Sequence, residues 1–211
     1  YIFMLIWPMR MMGWLTNVLA QCFASIKKVE KVFEEEPTIK NCENPKRLEE
    51  VKGHVKFCNV SFEFDSTPVL KNVNIDARPG STVAIMGVTG AGKSSLINLI
   101  GRYYDCSSGS VLFDGIDVRE MDLYQLRKNV SSVMQETFLF SDTIEENIRF
   151  GTVGVSEKDF MAACKDSMVD EFVSEMPEGY QTVIGERGLG LSGGQKQRIS
   201  IARALVRKAA V

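Results

Sequence analysis

The spacing of hydrophobic positions changes several times along the chain, and each change marks a different element. From Tyr1 to about Ile26 apolar residues dominate, interrupted by Pro8 and Arg10, and Lys27, Lys28 and Lys31 follow. This pattern predicts one long helix. Its uninterrupted apolar part is shorter than the ~20 residues of a full membrane span. The lysines form the cationic flank found on the cytoplasmic side of spanning helices. Two readings fit: an amphipathic helix buried in a globular protein, or the last turns of a membrane-spanning helix that continues into the cytoplasm. Residues 34–53, EEEPTIKNCENPKRLEEVKG, hold two prolines, dense charge and few apolar residues, and predict a linker.

After the linker the period shortens to that of strands. HVKFCNVSFEF puts Val55 and Phe57 on one phase and Val60, Phe62 and Phe64 on the other, so a bulge is expected near Cys58 and Asn59. VLKNVNID is a second strand, closed by Pro79-Gly80. STVAIMG is a compact apolar strand, and SVLFDG ends on the turn pair Asp114-Gly115. Helical spacing covers 93–101, 122–129, 143–150 and 156–176, the last broken near Ser167, with Asp122 and Ser156 as N-caps. A final helix runs from Ser192 to about Lys208. Ala209, Ala210 and Val211 read as the start of a further strand.

Composition narrows the chemistry. The chain has 211 residues, 45% of them hydrophobic, enough for an ordinary core. A net charge of -2 gives no general attraction to nucleic acid or acidic membranes. The five cysteines are scattered with no CxxC pair, which argues against a disulfide framework or a thiolate zinc site. His54 is the only histidine, so a histidine cluster is excluded. The first residues have no basic region before the apolar stretch and do not read as a signal peptide.

Two stretches carry anion chemistry. Gly87-Val88-Thr89-Gly90-Ala91-Gly92-Lys93-Ser94 fits G-x-x-x-x-G-K-[ST] between a predicted strand and a predicted helix. Its glycines let successive N–H groups point at phosphate oxygens, and the helix adds its positive end. Lys93 supplies a charge for β- and γ-phosphates, and the Ser94 hydroxyl can ligate Mg²⁺. The second stretch is Leu191-Ser192-Gly193-Gly194-Gln195, where Ser192 could cap a helix that two glycines open. A single nucleotide does not need two such grips.

The company of these stretches resolves the duplication. TVIGERGLGLSGGQ precedes KQRISIARALVRK, and VMQETFLFSDTIEENI lies between the grips, with Gln135 leaving a short strand. Together they resemble the ATP-binding cassette (ABC) transporter family over nearly the whole chain. The resemblance implies an α/β P-loop nucleotide-binding domain of the ABC type, with an antiparallel β subdomain, a parallel core sheet and a helical subdomain. The end of a transmembrane helix would precede it. It implies segments of 1–33 for that helix and its cytoplasmic extension, 34–53 for the linker and 54–211 for the nucleotide-binding domain.

In that family two cassettes pair head to tail around two ATP molecules, each held between the phosphate loop of one and the LSGGQ of the other. By resemblance, ATP is bound by Gly87, Thr89, Gly90, Ala91, Gly92, Lys93, Ser94 and Ser95 of one chain. The partner would supply Leu191, Ser192, Gly193, Gly194 and Gln195. Mg²⁺ would be held by Ser94 and Gln135, the latter matching the glutamine that reports nucleotide state and contacts attacking water. Phe64 falls where the family has a tyrosine stacked on adenine, the role the resemblance implies for it, with a core position of an alternating strand as the rival reading. Glu186, Arg187 and Gly188 resemble a segment that touches the transmembrane domain. Lys196, Arg198, Arg203, Arg207 and Lys208 read as a solvated basic face and not a nucleic-acid site.

The implied partners are a second nucleotide-binding domain, identical or not, the transmembrane domain of the same polypeptide, the membrane and an unassigned transported substrate. The implied location is a multi-pass membrane protein with its cassette in the cytoplasm. The family's Walker B acid and catalytic glutamate would follow Val211. The sequence is therefore expected to be part of a longer ATPase and inactive alone. A cassette with a non-transport role, as regulator or ATP-gated channel, stays open. A chromosome-maintenance ATPase would need a long coiled coil between its motifs, and no sustained heptad repeat is present.

Overall fold

A computed structural model describes residues 2–185 and 188–211. The chain divides into two compact units, Tyr1–Lys40 and Asn41–Val211. The first consists of α1 (Ile2–Glu34), a continuous helix of 33 residues with Pro8 inside it, and it is about 50 Å long. Its apolar side chains are exposed, Trp7 at 69% and Phe33 at 85%. No helix among the described residues is both long and apolar enough to cross a membrane.

The second unit opens with β1 (Val55–Phe64) and β2 (Thr67–Ala77), joined through Asp65 and Ser66. Both turn residues have positive φ, the handedness that suits a two-residue hairpin. Next come α2 (Lys93–Ile100), β3 (Ser108–Phe113) and β4 (Ile116–Asp117). The four strands form one antiparallel sheet in the order β2-β1-β3-β4. The expected bulge is present: pairing slips between Phe57 and Val60, and Asn59 has φ 47°. The extra residue puts Val55, Phe57, Val60 and Phe62 on the same buried face, which a continuous alternation would not. Asn74 secures the bulge through paired amide bonds to Asn59 of 2.9 and 3.0 Å. A Cβ at Gly109 would lie 2.4 Å from the Asn59 carbonyl oxygen, so β3 can pass the bulge only as glycine.

Short helices complete the unit: α3 (Leu123–Lys128), α4 (Ile144–Arg149), α5 (Glu157–Asp166), α6 (Val169–Val173) and α7 (Gly193–Val206). Asp122 and Ser156 cap α3 and α5 as expected. The predicted break near Ser167 falls at Met168, whose φ is 58°. Two hydrophobic clusters result. One joins the sheet to α2 and α3 through Phe57, Leu99, Phe113 and Met121. The other joins α4, α5, α6 and α7 through Ile148, Phe160, Val169 and Ile199.

Two regions differ from the sequence reading. The strand expected over 81–87 is unpaired, with Val83 46% and Ile85 39% exposed. Neither does the short strand before Gln135 form. Parallel pairing among the described residues is confined to the Lys46–Met121 bridge and to Val211. The Val211 N–H donates to Asn129 at 3.0 Å and its carbonyl accepts from Ser131 at 2.7 Å. A strand is held by its neighbours' backbone groups, and among the described residues 82–87 forms no backbone hydrogen bond to another strand. Its apolar side chains instead line a cavity of about 420 Å³ with Leu96, Ile97 and Val211.

The second difference concerns the charged stretch. From Asn41 onward it is fastened to this unit. Lys46 exchanges backbone bonds with Glu120 and Asp122 at 2.7 and 3.0 Å. The Gln125 amide accepts from Leu48 N–H and donates to Leu48 C=O. The Asp114 carboxylate accepts three successive N–H groups, from Lys52, Gly53 and His54, at 2.8, 3.1 and 2.8 Å. Asp114→Ala would strand those donors and should cost about 2 kcal/mol, read from urea unfolding.

Acid should also loosen the strap. The Gln125 N–H and then the Arg47 guanidinium hold the Asp122 carboxyl below its ordinary value of 3.8. Because that value is depressed on folding, its contribution is complete at neutral pH and is lost as pH falls below about 4. Asp122→Asn keeps a capping side chain but does not titrate. Its stability should therefore fall less steeply between pH 5 and 3 than the parent's. Parallel acid limbs would contradict this.

Candidate nucleotide-binding site

The phosphate loop is shaped by β2 and by the start of α2. Gly90 and Gly92 have φ of 85° and 83°, values that side chains disfavour. A Cβ at Gly92 would also lie 2.9 Å from Leu70 Cδ2 and 3.1 Å from the Val69 carbonyl oxygen. Glycine is required here for both conformation and space. The helix that follows has no side-chain cap and no acidic residue in its first turn. Its leading N–H groups and positive end are thus open to an anion. Lys93 Nζ donates to the carbonyls of Gly87 and Val88, both at 2.8 Å, which holds its charge across the mouth of the loop. Thr89, Gly90, Ala91 and Ser94 are exposed beside it, and Ser95 is half-buried.

Phe64 stands at the end of the β1–β2 hairpin, opposite Thr67. Along β2, Thr67 is about 10 Å from Leu70, which touches the phosphate loop at Gly92. Phe64 continues the buried phase of Val60 and Phe62, yet it is 51% exposed. It is not a core residue. Its ring meets Tyr104 edge to face, at 5.9 Å and 85°.

The LSGGQ stretch hangs from the other cluster. Leu191 packs against that cluster, and Ser192 caps α7. Gln195 closes a capping box: its N–H donates to Ser192 Oγ at 3.3 Å, and its side chain accepts from Ser192 N–H at 2.8 Å. The Ser192 hydroxyl proton stays available to a ligand. Gly193 and Gly194 have ordinary φ, and a Cβ built on either meets nothing within 4 Å. The fold does not need these glycines, and helix propensity disfavours them. They leave room for something that approaches from outside.

No hydrogen bond or ion pair among the described residues joins 87–95 to 191–195. Gln135 lies between them in an irregular, exposed stretch. Just beyond it the chain is anchored by Arg203 of α7, whose guanidinium donates to Phe138 O, Asn147 O and Asn147 Oδ1 at 3.0, 2.7 and 3.1 Å. Its charge also lies 5.9 Å and 5.7 Å from the ring centroids of Phe140 and Phe150. Burial lowers its pKa. Arg203 is therefore no solvated residue, contrary to the basic-face reading, and Asn147 was not singled out at all. The available signal was its place in IEENI, on the same helical phase as Ile144 and Ile148, and the structure buries it. The other basic residues of the face also have internal partners. Arg198 pairs with Glu171, Lys208 with Asp159, and Arg207 donates to Arg127 O. Glu186 and Arg187 lie outside the described residues, while Gly188 is buried.

The α/β unit, its uncapped phosphate loop and its outward-facing second helix start define an ATP-binding cassette. A family model described as ABC transporter matches residues 70–211, and the chain belongs to that family. Binding of ATP follows from that membership. The chain is 40% identical over 208 residues to an ATP-dependent lipid A-core flippase of Syntrophus aciditrophicus, covering 99% of this chain and 35% of that protein. It is 37% identical over 211 residues to the mitochondrial iron-sulfur clusters transporter ATM1 of Candida glabrata, covering 99% and 29%. A solved bacterial Atm1-family ABC exporter with ATP bound superposes with a TM-score of 0.85 at 35% identity, covering 96% of this chain and 36% of that one. The cassette is of the exporter type, and the chain spans about a third of the length of such relatives.

If Gly193 and Gly194 serve an approaching group, alanine there should leave the fold intact. Each substitution should raise stability by about 0.5 kcal/mol through lower unfolded-state entropy, while weakening any ATP-dependent association. A loss of thermal stability in either variant would show that the glycines serve the fold.

Proposed function

We propose that the full polypeptide binds and hydrolyses ATP to drive export of a substrate across a membrane, through nucleotide-dependent pairing of two cassettes. The observation that carries this is the separation of the grips. The phosphate loop belongs to the sheet cluster and LSGGQ to the helical cluster, and each presents its donors outward. A partner's Ser192, Gly193 and Gly194 would complete the site over the γ-phosphate, so that ATP holds the pair together. Phe64 would stack on the adenine, with a gain of about 1–3 kcal/mol by analogy with base–aromatic contacts. Among the described residues no cluster of His, Cys, Asp or Glu could hold a metal. Mg²⁺ would accordingly take Ser94 and Gln135 as protein ligands and fill the rest of its shell from phosphate and water.

In this reading α1 is the cytoplasmic continuation of the last transmembrane helix, the cassette is cytoplasmic, and Glu186 and Arg187 face the membrane domain. Asp114 and Asp117 are not candidates for the carboxylate that orients water. Asp114 is held by the 52–54 backbone and Asp117 by Arg119. Neither is free to serve.

Lys93→Ala should weaken ATP binding at least tenfold, about 1.4 kcal/mol, in titrations with a fluorescent analogue. Unchanged affinity would refute the loop assignment. Gly193→Asp puts a carboxylate against the γ-phosphate. It should abolish ATP-dependent dimerisation in light scattering while sparing nucleotide binding. The 211-residue chain alone should release no phosphate above the Lys93→Ala background; turnover abolished by that substitution would place the catalytic carboxylate within it.

A further inference from the structure

Phe64 is mounted loosely for a residue that must present a flat face. It is the last residue of β1, next to a two-residue turn, and half of it is exposed. Its one ring contact among the described residues is Tyr104. Tyr104 is itself 40% exposed, but the chain on either side of it is held. It follows α2, where Gly101 ends the helix and Tyr103 N–H folds back to Asn98 O at 3.0 Å. The residues around it are clamped. Arg102, 6% exposed, grips Asp105 through two bonds of 2.8 and 3.2 Å and donates to Arg119 O at 3.2 Å. The Tyr104 ring also leans on buried Phe62, at 5.6 Å and 47°. Tyr104 thus stands between a buried phenylalanine and an exposed one.

We propose that Tyr104 is a positioning residue for the nucleotide base, holding the Phe64 ring in the orientation in which a base can stack on it. This rests on the reading of Phe64 as the stacking residue. An edge-to-face pair leaves at least one Phe64 face open, whichever ring supplies the edge. Fixing the ring beforehand removes the ordering cost that a free side chain would meet on binding. The brace also sets a distance. Tyr104 stands four residues past the helix that begins at Lys93, so the base support and the phosphate grip share the short segment 92–105. The Gly92 contact with Val69 and Leu70 is the second tie between the same two parts. Tyr104 itself touches no phosphate in this scheme and acts only through Phe64.

The experiment is calorimetric titration of the full polypeptide with ATP and with inorganic tripolyphosphate, which has no base. The variants are Phe64→Ala, Tyr104→Ala, Tyr104→Phe and the Phe64→Ala/Tyr104→Ala double. Tyr104→Ala should weaken ATP binding about threefold to tenfold, the size of one edge-on aromatic pair, and leave tripolyphosphate unchanged. Tyr104→Phe should bind as the parent does. In the Phe64→Ala background, removing Tyr104 should have no further effect. A loss of tripolyphosphate affinity in Tyr104→Ala, or additive losses in the double variant, would overturn the proposal by giving Tyr104 a structural or direct role. If Phe64→Ala weakens ATP but Tyr104→Ala does not, the brace alone is wrong. If Phe64→Ala leaves ATP affinity unchanged, the stacking reading fails and the brace with it.

Discussion

Backbone N–H groups at a helix start have no partner within their own helix, and the starts of α2 and α7 are where this chain presents such groups beside glycines. At α2 there is no capping side chain, and the loop before it is forced into shape by glycines that β2 presses upon. At α7 the capping box uses the N–H groups of Ser192 and Gln195, and a Cβ built on Gly193 or Gly194 would meet nothing within 4 Å. Unpaired donors are tolerated only where water or a ligand can reach them. Anion binding at both places is the chemistry that this arrangement supports best.

The packing explains why each start belongs to a different body. The sheet cluster carries the phosphate loop and the hairpin with Phe64. The helical cluster carries α7 and, through Arg203, the chain just past Gln135. Arg203 has no carboxylate partner among the described residues. It depends on three oxygen acceptors and two aromatic faces, so a lysine could not replace its planar fork. The side chain joins the exit of the Gln135 stretch to the helix whose other end is LSGGQ.

Much of this was legible in the sequence because the signals are local. The G-x-x-x-x-G-K-S spacing, the caps at Asp122 and Ser156, and the phase slip at Cys58 and Asn59 each depend on neighbours a few residues apart. What was missed depends on distant backbone. The 41–53 strap is fixed by Asp114, Glu120 and Leu123, each more than sixty positions from the residue it bonds. Arg203 is held by carbonyls 56 and 65 residues upstream. Charge in the first case and basic periodicity in the second suggested solvent, and neither pattern encodes an acceptor that only the fold brings near. Phe64 shows the same limit in reverse, because strand phase alone left a core position open to it. The hairpin ends before the core can cover it.

The central claim, that each nucleotide is held by two chains, is tested most directly by mixing two inactive variants of the full polypeptide. Lys93→Ala spoils every phosphate loop and Gly193→Asp spoils every partner grip, so neither variant alone has an intact composite site. A mixed pair has one intact site, formed by Lys93 of the second chain and Gly193 of the first. The account expects ATP-dependent pairing, measured by light scattering, to return on mixing although each variant alone shows none. If mixing restores nothing while both variants remain folded, the two grips act within one chain and the account is contradicted.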